Sequence, residues 1–396
     1  MRLLLISLCL GAGEGIAALN PSLAPIWPAL SALLLLAILF GYGLGIRAWP
    51  YFATALFGAA LFFGNCEKQE AMLRERPWMR NVVRRVKAER STWRSEVKRD
   101  LSHRIGLGLE SNRTVAALNR AILLGERKAI PFDLKENFVN SGTIHIFAIS
   151  GLHVMVVAET LALLLSLGFF PHRLAGAVAL PLVWLYVYIV GLPPSAVRAA
   201  LMASAYFLAP VFWRRAASVQ AWSLAFLLMH ILNPEIITNI GSQLSFSVML
   251  ALLITGRTAA RLYTGWRLNF AITLAAWAAG VPVAAAAFGR ISPGGIFGNL
   301  ILLSAAAYSV SAATLGLILS FVSETLARHF NNFSALFTSF MSGLSTAISS
   351  LPFSSLEVPR WRTLECALWY TAFFLALYLL KLRAGHVNDL SRSLRA

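Results

Sequence analysis

The chain has 396 residues, 58% of them hydrophobic and only 13% charged, with a formal net charge of +17. A soluble globular domain carries about 25% charged residues, so this composition excludes one and points to an all-α, polytopic helical membrane protein of about 10–12 transmembrane helices, some of them interrupted. The charge is concentrated: between Asn65 and Ser141 lie 17 of the 34 Lys and Arg residues and 10 of the 17 acids.

Three apolar stretches open the chain, Leu3 to Leu19, Ala29 to Ile46 and Ala48 to Gly64. Each approaches the length that crosses roughly 30 Å of hydrocarbon at about 1.5 Å per residue, and together they make residues 1–64 a three-span membrane segment. Arg2 ahead of the first run resembles a signal-peptide start, but two further spans follow at once, so this run is expected to be retained. Cys9, Cys66 and Cys366 are too scattered to suggest a metal cluster, and their pairing is not legible.

Residues 65–141 read as a basic, helical, extramembrane segment. No glycine occurs from Asn65 to Ile105, and Pro77 is the single proline there. Val82, Val86, Trp93, Val97, Leu101 and Ile105 recur near helical spacing, with Glu70/Arg74, Arg85/Glu89 and Asp100/Arg104 at i,i+4, which predicts a charged amphipathic helix from about Pro77. A second helix is predicted over about Thr114 to Leu124, leading through Gly125 and Pro131 to Asn140, Ser141 and Gly142. Arg84, Arg85, Lys87, Arg90 and Arg94 can track phosphates with Trp93 stacking on bases, or can lie on anionic lipid headgroups.

From residue 142 to 382 the chain reads as a second membrane domain, followed by a short tail, 383–396. Its apolar stretches run about His145–Phe170, Leu174–Val190, Ser195–Trp213, Ser218–Leu232, Gln243–Ile254, Leu268–Phe288, Ile296–Phe321 and Leu364–Leu380. Asn331 to Leu351 differs. Phe333, Leu336, Phe337, Phe340, Met341, Leu344, Ile348 and Leu351 form one helical stripe, and the other face is polar but uncharged. It is read either as a span turning its polar face to a water-filled path or as a helix lying flat in the interface. If every stretch crosses, Arg2, Arg47, Arg173, Arg257, Arg328 and Lys381 share one side and Arg290, Arg360 and Arg362 the other. The first side is then cytoplasmic, which puts residues 65–141 outside, against the pull of their own charge.

Polar residues inside hydrocarbon are costly, so a functional reading is the starting hypothesis for them. His145, Ser150, Gly151 and His153 open the first stretch of the second domain. On a continuous helix the two imidazoles and the hydroxyl fall within an arc of roughly 140°. They can face one cavity, or they can cap the helix and bond to its neighbours. Gly191-Leu192-Pro193-Pro194-Ser195 forces a non-helical entry, with Ser195 placed to cap the next helix and Arg198 one turn inside. An embedded guanidinium needs a partner, and Glu159, the carbonyls of a broken helix and a phosphate are the candidates. Gln243, Ser245 and Ser247 open another span, Pro282 interrupts the next, and Ser292 to Gly295 with Gly298 and Asn299 precede the one after. Interrupted helices of this kind recur at transport sites.

Taken in order, these pieces resemble the ComEC family, the inner-membrane channel of bacterial natural transformation. The resemblance is carried by Ala117 to Leu124 with Gly125-Glu126-Arg127, by His145-Ile146-Phe147-Ala148-Ile149-Ser150-Gly151-Leu152-His153, by Gly191, Ser195 and Arg198-Ala199, by Gln243-Leu244-Ser245-Phe246, and by Pro282 and Gly298-Asn299-Leu300. It implies a channel in the bacterial cytoplasmic membrane that passes single-stranded DNA inward, with His145, Ser150, His153, Ser195, Arg198, Gln243, Ser245 and Asn299 lining or supporting the path. The outer OB-fold domain and the metallo-β-lactamase-like domain of full-length relatives have no counterpart in the pattern, and the histidines show no clustered metal motif. The chain is therefore expected not to be an enzyme and to need no metal or cofactor. It would work with a separate DNA receptor, nuclease and cytoplasmic motor, within the lipid bilayer, as a monomer or a homo-oligomer. The rival readings are an intramembrane Ser150/His153 hydrolase and a related channel for another substrate.

Overall fold

The structure is a computed structural model and describes residues 92–168, 170–213, 217–233, 236 and 238–393. The three N-terminal stretches, and Arg84, Arg85, Lys87 and Arg90 of the basic segment, lie outside the described residues. By its internal contacts the chain forms two compact units, one of Arg99–Ala199 with Leu244–Ala396 and one of Met1–Lys98 with Ala200–Gln243.

The described helices are α1 (92–105), α2 (Arg113–Leu124), α3 (Phe132–Asn140), α4 (Gly151–Ser166), α5 (His172–Ile189), α6 (Pro194–Leu208), α7 (Ser218–Leu232), α8 (Ile240–Ala259), α9 (Gly265–Phe288), α10 (Gly294–Leu319), α11 (Glu324–Ser349) and α12 (Thr363–Ser393). A 3₁₀ turn, Ile144–Phe147, precedes α4, and the described strands are the two-residue pair Arg290–Ile291 and Leu356–Glu357. The fold is an all-α membrane protein. Among the described residues four segments are long and apolar enough to cross a bilayer: α8, α9, α10 and Thr363–Leu380 of α12.

The core of the larger unit forms where α10 and α11 pack along their lengths with α2 laid against both. Gly298, Ala305, Ala306, Ser309, Ala312, Ala313 and Gly316 of α10 are all buried. Small side chains let two helices approach closely, and a Cβ added at Gly316 would stand 2.6 Å from Asn331 Oδ1 of α11. Helix α2 starts where Asn112 Oδ1 accepts the Val115 N–H at 3.1 Å and stops at Gly125, whose positive φ of 69° terminates it with an N–H bond to the Ala121 carbonyl. Between those caps Ala116, Ala117, Leu118, Ala121, Ile122, Leu123 and Leu124 are buried, so α2 is a core helix of the bundle.

Helix α11 resolves the ambiguity of its amphipathic stripe. Its uncharged polar face points inward: Asn331, Ser334, Thr338 and Ser345 are each 0% exposed, whereas Phe333, Leu336 and Phe340 are exposed. That face meets protein. Thr338 Oγ1 donates to Asn119 Oδ1 at 2.9 Å, Asn119 Nδ2 to the Asn331 carbonyl at 3.2 Å, and the Ser309 and Ser334 hydroxyls bond at 2.8 Å. Asn331 Nδ2 reaches the carbonyls of Arg104 and Leu107 at 2.9 and 3.1 Å, tying α11 to the end of α1.

Pro282 does not break its helix. Helix α9 runs through it, and the ring removes the N–H that would have bonded the Ala278 carbonyl. Trp369 of α12 supplies the replacement, its indole N–H donating to that carbonyl at 2.8 Å, while the Tyr370 hydroxyl donates to the Ala279 carbonyl at 3.1 Å. In the smaller unit, Trp222, Phe226 and His230 stack along one face of α7, and His230 Nδ1 bonds the Phe226 carbonyl at 2.6 Å.

Candidate functional site

The stretch expected as one helix from His145 is two elements with a break between them, and this changes what its polar residues can do. His145 sits in the 3₁₀ turn and is exposed; Ala148 is extended, and Ser150, with φ −104° and ψ 175°, is the N-cap of α4. His145 and His153 therefore do not share a helix face. The physical reason is the first turn of α4: its N–H groups have no carbonyl four residues back, and a serine followed by glycine lets the chain turn so that side chains satisfy them. His153 performs part of that capping. Its Nδ1 lies 3.2 Å from the Ser150 backbone N–H and 2.8 Å from Ser150 Oγ. A backbone N–H can only donate, so Nδ1 is the unprotonated nitrogen and the Ser150 hydroxyl donates to it as well. The ring is 1% exposed, and its Nε2 is buried without a hydrogen-bond partner.

Helix α6 enters this break. Gly191 and Leu192 take positive φ of 104° and 54°, and Pro194 stands at the first helical position. Ser195 does not cap α6; its hydroxyl donates to the Ile149 carbonyl at 2.7 Å, binding α6 to the residue before the α4 cap. One turn on, Arg198 is 6% exposed. Its Nη1 donates to the Ser245 carbonyl of α8, its Nε is buried without a partner, and its Cζ lies 5.9 Å from the Phe246 ring centroid. Nη2 rests against Gly151, where an added Cβ would be 2.7 Å away, so glycine at the first position of α4 is what admits the guanidinium. Glu159, one of the expected partners, is exposed, and among the described residues no carboxylate forms an ion pair with Arg198.

Ser150, Gly151, His153, Ser195, Arg198 and the Ser245 backbone thus converge at the start of α4. The remaining expected site residues are elsewhere. Gln243 is exposed on the first turn of α8 and belongs to the smaller unit. Asn299 follows Gly298, whose added Cβ would stand 2.6 Å from Thr143 Cγ2, and its Oδ1 is buried without a partner. Trp93 is 48% exposed and Arg94 half-buried on α1. The sequence reading missed Asn119 and its links to α11, because an asparagine inside a segment taken as extramembrane carries no signal of its own. It also missed the buried trio Ser141, Thr143 and Ser345, in which the Ser141 hydroxyl lies 2.6 Å from Thr143 and 2.7 Å from Ser345.

A family model described as "Competence protein" matches residues 122–383. The chain is 26% identical over 234 residues to ComE operon protein 3 of Bacillus subtilis (strain 168), an alignment that covers 59% of this chain and 30% of that protein. The chain thus aligns with under a third of the length of the curated relative it matches. No solved structure matches it.

Proposed function

The chain belongs to the competence protein family, and from that premise we propose that it serves DNA uptake as a helical channel of the bacterial cytoplasmic membrane, passing single-stranded DNA inward. The observation that carries this reading is Arg198. A guanidinium buried among three helices, held among the described residues by one backbone carbonyl and no carboxylate, retains free capacity for an anion. The N-terminus of α4 beside it adds a favourable potential for negative charge. One such contact, rather than a row of them, favours passage of a phosphodiester chain without trapping it. The channel carries no chemistry of its own, and a separate receptor, nuclease and cytoplasmic motor act on the strand. Arg198→Ala and His153→Ala strains with normal protein levels should lose transformation. Unimpaired transformation in both would sink the proposal.

One observation favours a second reading, an intramembrane serine hydrolase: the Ser150 hydroxyl already donates to His153 Nδ1 at 2.8 Å. Against it, that nitrogen also accepts the Ser150 backbone N–H, so the imidazole is engaged in capping and is a weakened base. Covalent labelling of Ser150 by a fluorophosphonate probe, lost in His153→Ala, would favour the hydrolase over the channel.

A further inference from the structure

Residues 105–143 have the composition of an aqueous segment, but their contacts do not keep them at one end of the bundle. Arg104 Nη1 donates to the Ser320 carbonyl at 3.2 Å and stacks over Phe321 at 4.2 Å, at the C-terminal end of α10. Asn119 bonds the middle of α11 through Thr338 and Ser334. Asn137 Nδ2 then donates to Thr346 Oγ1 at 3.2 Å and its Oδ1 accepts from Ser349 at 3.1 Å. Finally Arg290 Nη1 donates to Asn140 Oδ1 at 3.0 Å, and Gly142 abuts Ser292 and Gly295, at the N-terminal end of α10.

The chain therefore keeps pace with α11 from Asn331 to Ser349, a rise of about 27 Å at 1.5 Å per residue. That distance is close to the roughly 30 Å of a hydrocarbon core. Helix α10, which it follows in the opposite sense, is 26 residues long and among the four apolar enough to cross. If α10 crosses, Arg104 and Gly142 are at opposite faces of the membrane.

We propose that residues 105–143 cross the bilayer as one broken span, α2 and α3 joined by the turn at 125–131, so that Glu110 and Arg328, brought together where Gly108 abuts Arg328, face one aqueous side and Lys135 and Arg360 the other. Hydropathy does not mark such a span, because α2 buries Asn119 against α11 and turns Arg113 and Arg120 toward a cavity rather than presenting an apolar coat. Non-helical backbone at membrane depth is tolerated where it is enclosed by protein or lines water. The turn meets that requirement on its charged side: Arg127 and Lys128 are exposed, and Ala129 borders a cavity of about 460 Å³ that lies chiefly between α2, with Arg113 and Arg120, and the stretch from His103 to Glu110. The broken span is thus one wall of an aqueous cleft that opens beside α1.

This topology does not depend on what the protein transports. The test is single-cysteine labelling of the full chain in cells and in inverted vesicles, in a background where Cys9, Cys66 and Cys366 are replaced by serine. Glu110, Lys135, Arg328 and Arg360 are all exposed, so cysteine at each leaves the core intact. A membrane-impermeant maleimide should label Glu110→Cys and Arg328→Cys from one side, and Lys135→Cys and Arg360→Cys from the other. Glu110→Cys and Lys135→Cys labelled from the same side would overturn the proposal, as would Arg328→Cys and Arg360→Cys labelled from the same side.

Discussion

Replacing Arg198 by methionine separates a residue kept for function from one kept for the fold. The side chain is 6% exposed and its charge has one acceptor, the Ser245 carbonyl, with Nε unpartnered. A hydrogen bond from a charged group contributes about 1.5–3 kcal/mol. Holding an ion out of water costs several kcal/mol even after relaxation, and buried ions replaced by apolar groups of similar volume commonly leave stability unchanged or raise it by about 1–4 kcal/mol. Methionine keeps the unbranched stem without the charge, and it ends short of the Nη2 that rests against Gly151. Arg198→Met should therefore unfold in detergent at the same temperature as the parent or higher, while transformation falls to background. Arg198→Lys should keep the charge but lose the planar fork, and recover uptake only in part. A loss of more than about 2 kcal/mol in Arg198→Met would show that the guanidinium's bonds outweigh its desolvation, the reverse of what such apolar replacements commonly show. Combined with normal transformation, that result would refute the functional reading of the site.

Gly151→Ala places a Cβ 2.7 Å from Arg198 Nη2, so the guanidinium must leave the start of α4; uptake should drop by about tenfold, equivalent to about 1.4 kcal/mol, and Gly151→Ala on top of Arg198→Met should add nothing. In a double-mutant cycle of Asn119→Ala and Thr338→Val, read by unfolding in mixed micelles, a coupling of about 0.6 kcal/mol or more is expected, and strict additivity would count against the 2.9 Å bond. Trp369→Phe strands the Ala278 carbonyl that Pro282 leaves open and should cost about 1 kcal/mol, whereas the same change in a Pro282→Ala background, where the helix bonds that carbonyl itself, should cost clearly less.

The sequence disclosed the fold class and the polar residues of the site, and it failed where geometry depends on a partner. The helix at Thr114 to Leu124 was legible from its own caps, because Asn112 and Gly125 act locally. The break before α4 was not, since an apolar run from His145 hides it and only the mutual capping of Ser150 and His153 creates it. Pro282 was read as an interruption because nothing nearby in sequence shows that Trp369, on another helix, replaces the missing donor. Arg198 announced its need for a partner, and backbone carbonyls were among the candidates, but that the carbonyl is that of Ser245 is something no residue type encodes.

The buried polar groups of this bundle differ in how fully they are matched. Along α11, Asn119, Ser309, Ser334 and Thr338 answer one another with bonds of 2.8–3.4 Å. A network of this sort rigidifies a core, with Asn331 Oδ1 its one unmatched atom among the described residues, and it closes the very face that the sequence reading opened to water. At the start of α4 the matching is incomplete: Arg198 Nε is buried and unanswered, and His153 Nε2 lacks a well-formed bond. Buried polar atoms left without partners are expensive, and besides Arg198 Nε and His153 Nε2 they include Asn331 Oδ1 on α11 and Asn299 Oδ1 on α10. If Arg198 lines the proposed path, removing Thr338 should disturb the stability of the protein without changing what passes through it.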